Sequence, residues 1–182
     1  MRSLGIVVFG LIVGCGGGDD AEPTPDAGLH VDAPATADRV VYVVRHAETG
    51  STATDPPLDA TGTARAMRLA TRLAGANVSK VYASQYHRTR DTGMPVAAAA
   101  GITIDVRMVD ASSSATYGME LATAARDAMV PAVLIVGHSN TVPETVKALS
   151  GVTVPAIAET EYDRLYTITL SADGPHLVSG TY

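Results

Sequence analysis

The chain is short of cysteine, of basic charge and of long apolar runs, and each shortage removes a class of protein. One cysteine in 182 residues means that no intramolecular disulfide can form and that a zinc site built on two cysteines is excluded. Against 13 Lys+Arg stand 19 Asp+Glu, a formal charge of -6, so the chain has no general attraction for a phosphate backbone. No nucleic-acid partner is expected. The apolar run at residues 4–13 has the length of a signal-peptide core and is too short to cross a bilayer as a helix. Charged residues make up only 18% and hydrophobic residues 46%, which is enough apolar material for a buried core and too much for a disordered chain. The length allows one domain with extensions at its ends.

The single cysteine has a defined setting. Arg2 precedes the apolar run, which closes on Ile12-Val13-Gly14-Cys15. This pattern resembles the bacterial lipobox, in which a cysteine after small residues is lipidated and becomes the mature N-terminus. The resemblance implies a signal peptide over residues 1–14, a lipid anchor on Cys15, a membrane as partner, and a place in the bacterial cell envelope, facing the periplasm or the surface. An ordinary secretion signal is the plainer alternative. Residues 15–38 are rich in Gly, Asp, Pro, Ala and Thr, a composition that cannot offset ordering entropy and reads as a disordered tether.

Residues 39–182 alternate between short β-branched runs and helical stretches. Strands are predicted at 39–44, 78–83, 102–106 and 132–136, with two closing strands at 165–170 and 176–179. Helices are predicted at 59–74, at 87–100 with an interruption at Gly93 and Pro95, at 114–129, and at 142–149 with its end at Gly151. Arg65, Arg68 and Arg72 form a stripe that reads as a solvated helix face. The runs RVVYVV and AVLIV are apolar on both faces of a strand, so a three-layer α/β/α sandwich with a largely parallel central sheet is expected.

Ligands of such sheets lie beyond the carboxyl ends of the strands. Three of those ends carry unusual residues: Arg45-His46-Ala47-Glu48-Thr49, then Ser84 through Thr92 with Arg88 inside, then Gly137-His138-Ser139-Asn140-Thr141. Converging, they would form a pocket of two arginines and two histidines with positive potential, suited to a phosphoryl group because a guanidinium fork matches its oxygens.

These motifs resemble those of the histidine phosphatase superfamily, the phosphoglycerate-mutase-like fold. RHAET stands where that family has an Arg-His-Gly-Glu-Thr type of motif, Ser84, Arg88 and Thr92 follow its second motif with Gln85 in place of the common Pro, and VLIVGHSN follows its late strand ending in Gly-His. The resemblance spans residues 40–166, and it implies a catalytic domain over 39–182. It implies a metal-independent, histidine acid-type phosphatase acting on a small phosphorylated substrate, with His46 as nucleophile and Arg45, Arg88 and His138 holding the phosphoryl oxygens. Neither metal nor cofactor enters that scheme. For His46 to attack, one ring nitrogen must be unprotonated, and a backbone carbonyl accepting from the other would fix that tautomer. Asp110 is the best-placed acid for the leaving group, with Glu120 as the alternative.

Two rival readings stand beside it. Gly137-His138-Ser139-Asn140-Thr141 resembles a nucleophile elbow, and Asp163 and His176 follow in the order of a serine hydrolase triad, although Thr141 replaces the second glycine. A non-catalytic phosphoester-binding lipoprotein is the other. A mutase is disfavoured, because the chain has no long insertion with which to retain and reorient a product.

Overall fold

The computed structural model of the protein describes residues 38–50, 53–110 and 113–182. The expected signal peptide, and the tether apart from Asp38, lie outside the described residues. Strands β1 (Arg39–Arg45), β2 (Val78–Ala83), β3 (Ile104–Val106) and β4 (Ala132–Gly137) run parallel to one another. Strand β5 (Arg164–Ser171) runs antiparallel to β1, and β6 (Gly174–Thr181) returns antiparallel to β5. The order across the sheet is β3-β2-β4-β1-β5-β6. A parallel sheet needs cover on both faces, and β4 is buried at every position.

The cover comes from two helix pairs. On one face α1 (Ala60–Arg72), its C-cap Leu73 and α2 (His87–Ala100) bring Leu69, Leu73, Val96 and Ala97 against Val44, Val81, Leu134 and Val136. On the other, α3 (Ser114–Asp127) and α4 (Thr141–Ser150) bring Tyr117, Leu121, Val146 and Leu149 against Val41, Val43, Val133 and Ile135. Neighbouring valines of β1 thus serve opposite cores, as the two-residue side-chain period of a strand requires. The result is the expected α/β/α sandwich, parallel through four strands and closed at one edge by an antiparallel hairpin.

Three local expectations need correction. Helix α2 is continuous through Gly93 and Pro95. Gly93 marks a close approach and no break: a Cβ there would sit 3.1 Å from Val81 Cγ1 and 3.4 Å from Val136 Cγ2, so the missing side chain lets α2 lie on the sheet. The third strand is shorter than 102–106, because Gly101 caps α2 at φ 67 and the Ile102 N–H donates to the Ala97 carbonyl at 3.0 Å. Helix α1 begins after Asp59, whose carboxylate accepts from the Gly62 N–H at 2.7 Å as an N-cap. The arginine stripe also divides. Arg68 and Arg72 are exposed, whereas Arg65 is half-buried in a bidentate pair with Glu48, with contacts of 2.6 to 2.9 Å. That bond holds Glu48 well below the ordinary carboxylate range and ties the RHAET segment to α1.

Candidate active site

The carboxyl ends of β1, β2 and β4 are adjacent, since β4 pairs with both neighbours. Arg45, His46, Arg88, His138 and Asp110 all line one cavity of about 430 Å³, together with Tyr86, Ser139, Glu159 and Tyr162. A larger groove of about 610 Å³ runs along α3, lined by Tyr82, Arg107, Glu120 and Asp127, and contains neither histidine. Glu120 lines that groove and is absent from the lining of the His46 cavity, where Asp110 and Glu159 are the carboxylates.

His46 is held by backbone on two sides. Its N–H donates to the Gly137 carbonyl at 2.9 Å, continuing the β1–β4 ladder, and its Nδ1 lies 2.8 Å from the Ala47 carbonyl oxygen. A carbonyl only accepts, so Nδ1 carries the hydrogen and Nε2 keeps a free lone pair. Burial lowers the His46 pKa to about 4; the Ala47 bond works the other way, and the Arg45 and Arg88 charges add to the lowering. The ring is therefore neutral at ordinary pH. Ala47 is itself fully buried, and its N–H donates to Thr92 Oγ1 at 2.9 Å, so Thr92 of α2 fixes the segment.

His138 meets His46 edge-on, with ring centroids 5.4 Å apart. Its Nε2 lies 2.9 Å from Ser84 Oγ, which lies 2.8 Å from Thr89 Oγ1, and the Thr89 hydroxyl donates to the Tyr86 carbonyl at 2.9 Å. Burial again dominates its titration, with His46, Arg88 and Arg45 adding, and the pKa falls to about 3. Arg88 reaches the cavity from the first turn of α2, where its guanidinium lies 4.4 Å over the Tyr86 ring and 4.0 Å from Asp55.

Arg45 does more than was expected of it. One of its nitrogens, Nη1, donates to the carbonyls of Ala158, Glu159 and Glu161 at 2.8 to 3.0 Å, and Nη2 donates to Glu159 Oε2 at 3.0 Å. Its guanidinium also lies 4.2 Å over the Tyr162 ring. Tyr162 and Glu159 thus form part of the cavity wall. The expected positive potential is offset as well, because Glu159 and Asp110 line the cavity that Arg45 and Arg88 share.

Sequence reasoning also missed the work of Gln85. Its side-chain amide donates to the Val109 carbonyl at 2.8 Å and accepts from the Val109 N–H at 2.9 Å, a ladder-like pair that sets the residue before Asp110. Its only signal was a departure from a motif. Among the described residues, no group of three or more His, Cys, Asp or Glu is arranged to hold a metal ion.

Of the proposed serine hydrolase triad, Ser139 Oγ donates to Glu159 Oε1 at 3.4 Å. His176 pairs with Thr169, which pairs with Val40, five residues before Arg45 on β1. It lies at the other end of the sheet, roughly 17 Å along the strand from the site.

Fold and strand-end geometry together define a phosphoglycerate-mutase-like α/β domain with its polar cavity at the carboxyl ends of the parallel strands. Residues 41–118 match the histidine phosphatase superfamily (branch 1), a stretch that includes the RHAET and Ser84 to Thr92 motifs and ends within α3. The protein histidine phosphatase SixA, solved with tungstate, superposes with a TM-score of 0.62 at 19% identity, covering 78% of this chain and 96% of that one. A phosphoserine phosphatase of Entamoeba histolytica, bound to 3-phosphoglyceric acid, gives 0.61 at 15% identity, over 79% of this chain and 97% of that one. A Nakamurella multipartitia chain assigned as a phosphohistidine phosphatase SixA gives 0.57 at 25% identity, over 80% and 97%. No curated protein matches the chain. These likenesses show the shared fold.

Proposed function

We propose that the protein hydrolyses phosphomonoesters without a metal, through a phosphohistidine on His46. One observation carries this reading: the His46 Nδ1 contact with the Ala47 carbonyl leaves a neutral Nε2 in a cavity that also holds two guanidinium groups and His138. In the first step Nε2 forms a bond to phosphorus as the ester P–O bond breaks, and the leaving oxygen takes a proton from Asp110. In the second, water gives a proton to the Asp110 carboxylate as it attacks the phosphohistidine, the P–N bond breaks, and orthophosphate leaves with His46 and Asp110 restored. Arg45 and Arg88 offset the charge on the non-bridging oxygens, where most of the rate gain in phosphoryl transfer arises, and the His138 ring, edge-on to His46, keeps the nucleophile in line.

The serine hydrolase alternative finds little support, since Ser139 Oγ points its bond at a carboxylate and His176 lies across the sheet. A phosphoester binder without turnover leaves the oriented nucleophile without a use. His46→Ala is expected to abolish turnover of a phosphomonoester while Ser139→Ala retains it. Quenching at alkaline pH should trap a phosphoenzyme that acid hydrolyses, as a phosphoramidate does. Full activity in His46→Ala would overturn the mechanism.

We also propose that the domain is carried at a bacterial membrane by lipid on Cys15. The support is the order Arg2, apolar core, Gly14, Cys15 in the sequence.

A further inference from the structure

Arg45 divides its guanidinium between two tasks. Nη1 is engaged by the backbone carbonyls of Ala158, Glu159 and Glu161, which anchor the turn that walls the cavity. The remaining edge consists of Nε–H and Nη2, the fork that accepts two oxygens of an oxyanion. That edge is half filled: Nη2 donates to Glu159 Oε2, while Nε is buried with no partner among the described residues. The Arg45 side chain is only 4% exposed, and an unpartnered guanidinium nitrogen at that depth calls for an anion.

Glu159 holds the fork from outside. Its side chain is 84% exposed, and its other carboxylate oxygen lies 3.4 Å from Ser139 Oγ. A phosphoryl oxygen arriving on Nη2 displaces the carboxylate but not the turn, because Nη1 grips the turn through its backbone. Glu159 then stays on the rim with its charge beside the bound phosphoryl group. A second carboxylate adds to the same field: Asp55 lies 4.0 Å from Arg88 Nη1. With both histidines neutral and Asp110 holding the proton it gives to the leaving oxygen, the two guanidinium groups are already matched by the carboxylates of Glu159 and Asp55 before any substrate enters.

Resting on the phosphatase reading of this cavity, we infer that Glu159 is a specificity-determining residue: it selects phosphoryl substrates whose leaving group carries a positive charge and rejects those with a second anionic group. An ammonium beside the phosphate finds the displaced carboxylate as its partner. A second carboxylate or phosphate meets like charge at the rim, a repulsive element of the kind that makes recognition selective.

Binding of three non-hydrolysable phosphonates of equal chain length tests this without requiring turnover. Calorimetry on the full chain with 2-aminoethylphosphonate, propylphosphonate and 2-carboxyethylphosphonate should rank them in that order, with about tenfold or more between the first and the last. In Glu159→Gln the spread should shrink to less than about threefold, whereas Ser139→Ala, which removes no charge, should keep it. Equal binding of the amino and carboxy ligands, or an undiminished spread in Glu159→Gln, overturns the inference while leaving the phosphatase reading in place. If none of the three phosphonates binds, both are overturned.

Discussion

Ser84→Ala tests whether a buried hydroxyl chain holds His138 in place. Ser84 and Thr89 are both fully buried, and His138 is 8% exposed. The Tyr86 carbonyl only accepts, so Thr89 donates to it and must accept from Ser84, which in turn accepts from the His138 Nε2–H. Removing the Ser84 hydroxyl leaves a buried ring N–H without a partner, at a cost of about 1–3 kcal/mol. On a domain of this size that lowers Tm by about 2–4 °C for each kcal/mol. Thr89→Val breaks the next link of the same chain. Since both substitutions act through one network, the double variant should lose less than the sum of the singles, by about 0.5 kcal/mol or more. Urea unfolding of the four proteins measures the coupling, and steady-state hydrolysis of an aryl phosphate measures the consequence. A loosened His138 ring should reduce kcat more than it changes KM, because the loss falls on the transition state. Stability within about 0.5 kcal/mol of the parent together with unchanged kcat, or strict additivity, would refute the network.

Three further outcomes are expected. His46 and His138 have folded pKa values of about 4 and about 3, below the ordinary 6.5, so between those limits the unfolded chain binds more protons and stability falls as pH drops below about 6.5; a urea midpoint unchanged from about pH 7 to about pH 5 would contradict their burial as neutral rings. Asp110→Asn should slow alkyl phosphates much more than aryl phosphates, which leave with less need of a proton. Equal losses would remove Asp110 from the acid role. Intact-mass analysis of membrane-extracted protein should find lipid on Cys15 and no Met1, and an unmodified Cys15 would end the anchor proposal.

Periodicity and strand-end chemistry determined much on their own. A run such as AVLIV, short, rich in β-branched residues and apolar at successive positions, fits a strand covered on both faces, and such strands alternating with helices point to an α/β/α sandwich. Because ligands of such sheets lie beyond the carboxyl ends, Arg45, His46, Arg88 and His138 were legible as a set before any coordinates. The tertiary structure decided what depends on partners distant in the chain. Arg65 leaves its solvated stripe because Glu48 lies within reach, Gly93 serves packing because α2 lies against Val81 and Val136, and of Asp110 and Glu120 only Asp110 lines the His46 cavity. Glu159 and Tyr162 come to Arg45 from the loop between α4 and β5, which has no motif and no periodicity to announce it. Sequence spacing reports which side chains share a strand or helix face; whether a charge is paired, and which half of a guanidinium is left for a ligand, is settled only by what the rest of the chain places against it.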